Sequence, residues 1–413
     1  MYKEIFPFLY NGSIKIHSSK SYFQRAIVFS CLSNSNCLIN GDSNSDDIQV
    51  ALKICSEIGF EVVLSDNCVM LNKIQDFKLK SISVNIGESG LCARMFGVML
   101  ASIFENTEIL GEGTIKLRKI NFSFLEQLGV KIKSTNNFLP ITINGKLNSG
   151  IINIDGSEGS QLLSGLLISL PFLKEDSVIN VSNLVSKPYV DMTISLLKEF
   201  GIKIVNNNYK SFLIRGGQKS KVSKYNVEGD WSGAAFHLVG AAISGSVSVE
   251  GLTINSLQAD RAIIEVLELC GAIIKCEHNV VFVRKNNLNA FSFDATECPD
   301  LFPPIVALAS CCNGRTVISG VKRLKNKESN RAFTLQREFS KLGVVINIED
   351  NKMMVEGGSQ ILGGDVDSHQ DHRIAMALSV MACVSDTSIS IHNYEAVSKS
   401  YSKFYSDLSN VSS

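Results

Sequence analysis

Leu196–Gly216 reads LLKEFGIKIVNNNYKSFLIRG, a helix-then-hairpin pattern. Leu196, Leu197 and Phe200 recur at helical spacing, Gly201 supplies a left-handed C-cap, and two short apolar strands flank an Asn-rich turn as a hairpin. The same pattern returns in LKICSEIGFEVVLSDNCVMLN from Leu52, FLEQLGVKIKSTNNFLPITI from Phe124, VLELCGAIIKCEHNVVFVRK from Val266 and EFSKLGVVINIEDNKMMVEG from Glu338. The terminating glycines Gly59, Gly129, Gly201, Gly271 and Gly343 are spaced by 70, 72, 70 and 72 residues, which marks an internal repeat.

A second beat lies between these copies. Six polar or Gly-rich turns each precede a strongly apolar helix: HSSKS, GESGLCAR, DGSEGSQ, GDWSGAA, TECPD and SHQDHR. Their markers Ser21, Gly90, Ser160, Ser232, Asp300 and His372 are spaced by 69, 70, 72, 68 and 72 residues. Helices apolar on every side belong inside a core, so their N-termini open from within the fold. Six units imply two similar α/β domains of three units each, with crossovers near Ser18 and Gly229. Residues 1–18 with 230–413 form one domain and 19–229 the other on this reading. The N-terminal strands near Ile5 to Ile16 are expected to complete the last unit, after a final helix from Ser398.

Forty Lys plus Arg balance forty Asp plus Glu in 413 residues, so no bulk attraction to nucleic acid or an anionic membrane is expected. Eleven Cys show no zinc spacing and no C-x-x-C pair, and read as reduced core thiols. The start of the chain lacks a signal-peptide pattern and no apolar run approaches a bilayer span, so a cytoplasmic protein is expected.

Helix N-termini carry unpaired N–H groups and partial positive charge, and several aimed at one place make an anion chamber. Lys20, Arg25, Arg94, Arg118, Lys327, Arg331, His372, Arg373 and Lys399 lie at such turns or close to them. One such cation is ordinarily a solvated charge; gathered at matching phases of a repeat they point to a ligand with several anionic groups. Asp300 reads equally as an N-cap or as a proton-transfer group, and Glu328, among Lys325, Lys327 and Arg331, as a salt bridge or as an acid–base residue. No G-x-S-x-G elbow, P-loop or H-E-x-x-H is present, and Cys311 and Cys312 read as buried in an apolar helix.

SSKSYFQRA with Lys20, Ser21 and Arg25, LVSKPYVDMT with Ser186 and Tyr189, KESNRAFTLQREFSKLG with Lys327, Glu328 and Arg331, DHRIAMA with His372 and Arg373, and SKSY with Lys399 occur in that order. In these segments the chain resembles the 5-enolpyruvylshikimate-3-phosphate synthases, the shikimate-pathway branch of the enolpyruvyl transferases. The resemblance implies two domains, each of three βαβαββ units around buried parallel helices, an inside-out α/β barrel arrangement that closes on substrate. It implies transfer of the enolpyruvyl group of phosphoenolpyruvate to the 5-hydroxyl of shikimate 3-phosphate by a monomer sensitive to glyphosate, with no metal or cofactor. The catalytic residues it implies are Asp300, Glu328 and Lys20. Phosphoenolpyruvate would be held by Lys20, Gly90, Arg118, Gln161, Arg331, Arg373 and Lys399. Shikimate 3-phosphate would be held by Ser21, Arg25, Ser160, Gln161, Ser186, Tyr189, Asp300 and Lys327.

The chain departs from the family pattern at His17-Ser18, at Glu88-Ser89-Gly90-Leu91, at Gly159, at Lys119 and at Arg323. Lys20-Ser21 and the LVSKPY segment speak against the related UDP-N-acetylglucosamine enolpyruvyl transferase. A non-catalytic relative that binds an anionic metabolite is the remaining alternative, and its mark would be binding without turnover.

Overall fold

The computed structural model describes residues 1–33, 35–74, 80–220 and 222–413. The chain divides into two compact units, Ser18–Val227 and Met1–His17 with Glu228–Ser413.

Ser18–Val227 contains the helices α1 (Lys20–Leu32), α2 (Asp46–Glu57), α3 (Gly90–Ile103), α4 (Gln161–Ser169) and α5 (Lys187–Glu199). Among its described residues three four-stranded sheets follow one plan. Strand Ile151–Asp155 runs parallel to Ser177–Ser182 across α4, and Ser177–Ser182 then pairs antiparallel with Ser211–Ile214, whose hairpin partner Ile204–Asn207 forms the edge. Ser81–Asn85, Asn106–Leu110, Phe138–Asn144 and Lys131–Thr135 repeat it, as do Lys224–Asn226, Cys37–Asn40, Cys68–Lys73 and Phe60–Ser65. A parallel pair needs a crossover, which α3 and α4 supply in their units, whereas α1 leads into Cys37–Asn40, to which Lys224–Asn226 adds from the far end of the segment.

These three helices pack on one another in the core. Along α3 only Gly90, Arg94 and Ile103 escape burial, and burying a Phe or Leu side chain contributes about 1.5–3 kcal/mol. Gly97 of α3 lets Phe122 pack against the helix: a Cβ there would lie 2.5 Å from the Phe122 ring. Helix α5 instead buries only one face, through Val190, Thr193, Leu196 and Leu197.

Met1–His17 with Glu228–Ser413 contains α6 (Trp231–Ser244), α7 (Ile263–Cys270), α8 (Phe302–Ser310), α9 (Arg331–Lys341), α10 (His372–Met381) and α11 (Phe404–Asn410). Here α6, α8 and α10 pack together as the buried set, and in α6 every residue except Ser232 is buried. Two of its sheets have four strands and the third has three. Asp230 starts α6 by accepting N–H bonds from Ser232 and Gly233 at 2.7 and 3.2 Å, and Asp371 starts α10 by accepting from Arg373 at 3.0 Å.

The mixed α/β architecture expected from the repeat is present. Gly59, Gly129, Gly201, Gly271 and Gly343 have φ of 103°, 90°, 84°, 90° and 83°, the left-handed values that favour glycine. Four expectations need correction. FLEQL forms a 3-10 turn, Ser123–Leu128, not an α-helix. The helix expected from Ser398 is divided into a 3-10 turn, Tyr394–Lys399, and α11, with the non-helical residues 400–403 between them. The N-terminal strands serve two sheets: Tyr2–Ile5 completes the last unit beside Ile389–His392, whereas Asn11–Lys15 runs parallel to Ser246–Glu250. All eleven cysteines are free, but Cys276 is exposed on an edge strand, and Cys68 and Cys311 are only half-buried. Among the described residues no helix is long and apolar enough to cross a membrane.

Candidate active site

In Ser18–Val227 the turns before α1, α3 and α4 carry the polar groups. Lys20, the first residue of α1, places Nζ 2.9 Å from Asp47 Oδ2 at the start of α2. One turn on, Arg25 is buried, with Nε donating to Thr193 Oγ1 at 2.9 Å, Nη1 to the Ser21 carbonyl at 2.8 Å and Nη2 to the Tyr189 carbonyl at 3.4 Å. Burial lowers its pKa to about 10, so it remains charged at neutral pH. Arg25 thereby joins Ser21 to the segment containing Ser186 and Tyr189, two segments that lie far apart in sequence. Ser186 is buried at the N-cap of α5 with φ 61°, and Ser160 is buried at the N-cap of α4.

A second cluster surrounds Gly90. Arg94 Nη1 donates to the Gly90 carbonyl at 3.1 Å and to Gln161 Oε1 at 3.2 Å, and Arg94 Nη2 to the Lys119 carbonyl at 3.2 Å. Arg118 Nη2 donates to the Glu88 carbonyl at 2.8 Å. A Cβ at Gly90 would meet Arg94 Nη1 at 3.0 Å and Arg118 Nη1 at 3.3 Å, so two guanidinium groups converge on this helix start. The Glu88 carboxylate accepts from Thr114 Oγ1 at 2.8 Å and lies against Gly113, which gives this departure from the family pattern a local hydrogen-bond partner.

In Met1–His17 with Glu228–Ser413, the charged groups near the starts of α8, α9 and α10 form one network around Arg331, the first residue of α9, whose side chain is 1% exposed. Arg331 Nη1 lies 2.9 Å from Asp300 Oδ1, Nη2 2.6 Å from Glu328 Oε2, and Nε 2.9 Å from Asp371 Oδ2. Asp300 Oδ1 also accepts from Lys327 Nζ at 3.0 Å, and its Oδ2 lies 3.1 Å from Arg373 Nη2. Burial works to raise the Asp300 pKa, but Arg373, Lys327 and Arg331 outweigh it and hold the carboxyl well below its ordinary value. Burial lowers the Lys327 pKa against the pull of Asp300. Lys399 Nζ donates to the Gln370 carbonyl at 2.8 Å, beside Asp371.

The N-cap reading of Asp300 is excluded. It lies inside a 3-10 turn, Pro299–Leu301, while Leu301 occupies the N-cap of α8. The salt-bridge reading of Glu328 holds, through Arg331. The structure brings together Asp300, Lys327, Glu328, Arg331 and Arg373 in one unit. In the other it gathers Gly90, Arg118 and Gln161 around Arg94, and Ser21 and Tyr189 around Arg25.

Several participants were missed in the sequence. Asp371 grips Arg331 with both carboxylate oxygens, and its place directly before the α10 residues His372 and Arg373 is an N-cap signal. Asp47 had a weaker one, as an acid in the first turn of a helix. Asp260, buried and 3.9 Å from Arg373, had none. Burial first, and Asp300 nearby, raise its pKa to about 7 although Arg373 opposes this.

Buried arginines and half-buried lysines gathered at or near helix N-termini are suited to small polyanionic ligands. A family model described as EPSP synthase (3-phosphoshikimate 1-carboxyvinyltransferase) matches residues 9–408. A relative from Clostridium acetobutylicum named 3-phosphoshikimate 1-carboxyvinyltransferase is 38% identical over 414 residues, spanning 98% of this chain and 96% of its own. One of the same name from Clostridioides difficile is 35% identical over 419 residues, with 98% and 96% covered. The solved structure of EPSP synthase from Acinetobacter baumannii shares the fold with a TM-score of 0.83 at 22% identity, covering 100% of this chain and 98% of that one. The chain belongs to the EPSP synthase family.

Proposed function

We propose that the chain transfers the enolpyruvyl group of phosphoenolpyruvate to the 5-hydroxyl of shikimate 3-phosphate, releasing phosphate, as a cytoplasmic monomer. The observation that carries this reading is Asp300, a carboxylate bonded by Lys327, Arg331 and Arg373 at 2.9–3.1 Å. The cations keep Asp300 ionised, and anionic substrate groups that engage the same cations would return to it the basicity needed to take a proton from a hydroxyl.

On this reading Asp300 removes the 5-hydroxyl proton while the methylene carbon of phosphoenolpyruvate gains one, and the alkoxide oxygen bonds to the adjacent carbon. The tetrahedral adduct then loses phosphate as the methyl group gives back a proton, so the enol ether forms and protons balance. Glu328 and Lys20 are the groups for the carbon-bound proton. Arg118, Arg331, Arg373 and Lys399 hold the phosphoenolpyruvate carboxylate and phosphate, with Gly90 and Gln161 beside them. Ser21, Arg25, Ser160, Gln161, Ser186, Tyr189 and Lys327 hold shikimate 3-phosphate, as does Asp300. Fixed cations stabilise the charge of the adduct without reorganising, which is the main catalytic contribution expected of such a site.

The test is phosphate release from phosphoenolpyruvate with shikimate 3-phosphate or UDP-N-acetylglucosamine as acceptor, and Glu328→Gln as control. Release that requires shikimate 3-phosphate and falls in the variant by roughly 10²-fold or more is expected. Release only with the sugar nucleotide overturns the acceptor assignment, and tight binding without release overturns catalysis.

Gly90 offers a second check. A methyl group there presses on Arg94 and Arg118 at 3.0 and 3.3 Å. Both neighbours are the ends of flexible arginine side chains, so the methyl group displaces guanidinium groups rather than packed core, and Gly90→Ala is expected to raise the KM for phosphoenolpyruvate by roughly tenfold. The KM for shikimate 3-phosphate should stay close to its starting value; a larger change there would place Gly90 beside the other substrate.

A further inference from the structure

Glu338 is fully buried on α9, two turns beyond Arg331, and no step of the proposed reaction uses it. Its Oε1 lies 2.9 Å from His369 Nε2 and 3.4 Å from Arg337 Nε, while Oε2 accepts from Lys341 Nζ at 2.6 Å and from the Asp367 N–H at 2.9 Å. Arg331 and Glu338 stand at i and i+7, on one face of the helix and about 10 Å apart along it. Both grip the same loop, since Arg331 holds Asp371 while Glu338 holds Asp367 and His369.

That loop is in a conformation it would not adopt unaided. His369 and Gln370 have φ of 52° and 60°, consecutive left-handed values at residues that carry a Cβ. The turn is held by the His369 N–H on Asp367 Oδ1 at 2.7 Å, by Asn393 Nδ2 on the same oxygen at 2.8 Å, by Gln370 Nε2 on Asn393 Oδ1 at 2.9 Å, and by the His369 ring on Glu338. From this turn hang Asp371, which orients Arg331 and begins α10 one residue before Arg373's neighbour His372, and the Gln370 carbonyl that receives Lys399.

We infer that Glu338 and His369 are positioning residues for phosphoenolpyruvate: their contact fixes the left-handed turn that sets Arg331, Arg373 and Lys399 against that substrate. The inference rests on the assignment of those three cations made above. His369 is part-exposed, so its replacement leaves the core intact, whereas Glu338→Gln leaves Lys341 and Arg337 facing a neutral amide.

The experiment measures kcat, both KM values and the thermal midpoint for the full chain and for His369→Ala, His369→Gln, Glu338→Gln and Lys399→Ala. A misplacement of about 1 Å costs up to roughly 10²-fold, so His369→Ala is expected to raise the phosphoenolpyruvate KM about tenfold with the shikimate 3-phosphate KM and the thermal midpoint little changed. Gln places its amide nitrogen near the position of Nε2, and His369→Gln should recover most of the loss; Glu338→Gln should reproduce the alanine variant's KM pattern. An unchanged phosphoenolpyruvate KM in His369→Ala, or a rise in both KM values that tracks a fall in thermal midpoint, overturns the inference. If Lys399→Ala raises that KM and His369→Ala does not, positioning alone fails. If Lys399→Ala leaves it unchanged, the assignment of the cations fails and the inference falls with it.

Discussion

Arg331→Met is expected to destabilise the unit that contains it by about 3–5 kcal/mol, because removing one partner of a buried ion pair strands the others. Arg331 is 1% exposed and joins Asp300, Glu328 and Asp371 at 2.6–2.9 Å. Burial opposes its charge, but Asp371, Glu328 and Asp300 outweigh burial and raise its pKa, so the guanidinium is charged throughout the accessible range. Met fills similar volume and supplies no cation. Chemical denaturation near neutral pH, followed by circular dichroism, measures the loss.

The pH dependence separates an electrostatic cause from simple cavity formation. In the wild type Asp300 has a depressed pKa, so its contribution is present above its ordinary value of 3.8 and is lost only as pH falls through the still lower folded value. Without Arg331 the burial that already opposes its charge weighs more heavily, its folded pKa rises, and protonation relieves the penalty earlier as pH falls. The stability gap between variant and wild type should therefore narrow on the acid side. A gap that stays constant with pH would assign the loss to packing. Arg331→Lys is expected to restore charge but not the fork that reaches three carboxylates, and so to recover only part of the stability.

The repeat was legible because its signals are local. A Gly that ends a helix in the left-handed region and an Asn-rich turn between apolar strands each follow from a few adjacent residues. These helix starts were legible for the same reason: Lys20, Gly90, Arg331 and His372 are first residues of their helices. What escaped depends on neighbours distant in sequence. FLEQL has helical spacing, yet it closes as a 3-10 turn at Ser123–Leu128. Asp260 looks like any acid in LQADRA until the fold buries it near Arg373. Glu338 looks like one more charge on an amphipathic helix, and only the turn at His369 shows why it is buried. Buried polar groups are specified by partners, and sequence spacing does not reveal partners from another unit of the repeat.

Asp300→Asn is expected to lower kcat by about 10³-fold at saturating substrates, within the range that positioned acid–base groups supply. The substitution keeps the shape of the side chain but removes its charge and turns one oxygen into a donor. Both Asp300 oxygens face cations: Lys327 and Arg331 meet Oδ1 at 3.0 and 2.9 Å, and Arg373 meets Oδ2 at 3.1 Å. The amide nitrogen must therefore point at a donor whichever way it turns, and the cations lose the carboxylate that balances them. Shikimate 3-phosphate binding should weaken less than turnover, because Lys327 and Arg25, the cations assigned to that substrate, both remain. Calorimetry of binding beside steady-state kcat separates the two effects. A variant that binds shikimate 3-phosphate and turns over within about tenfold of wild type would mean that Asp300 is not the base, since loss of such a group costs at least about 10². A variant that loses binding and turnover in equal measure would instead make Asp300 an organiser of the cations, and the proton of the 5-hydroxyl would then pass to Glu328, whose Oε2 shares Arg331 with Asp300 at 2.6 Å.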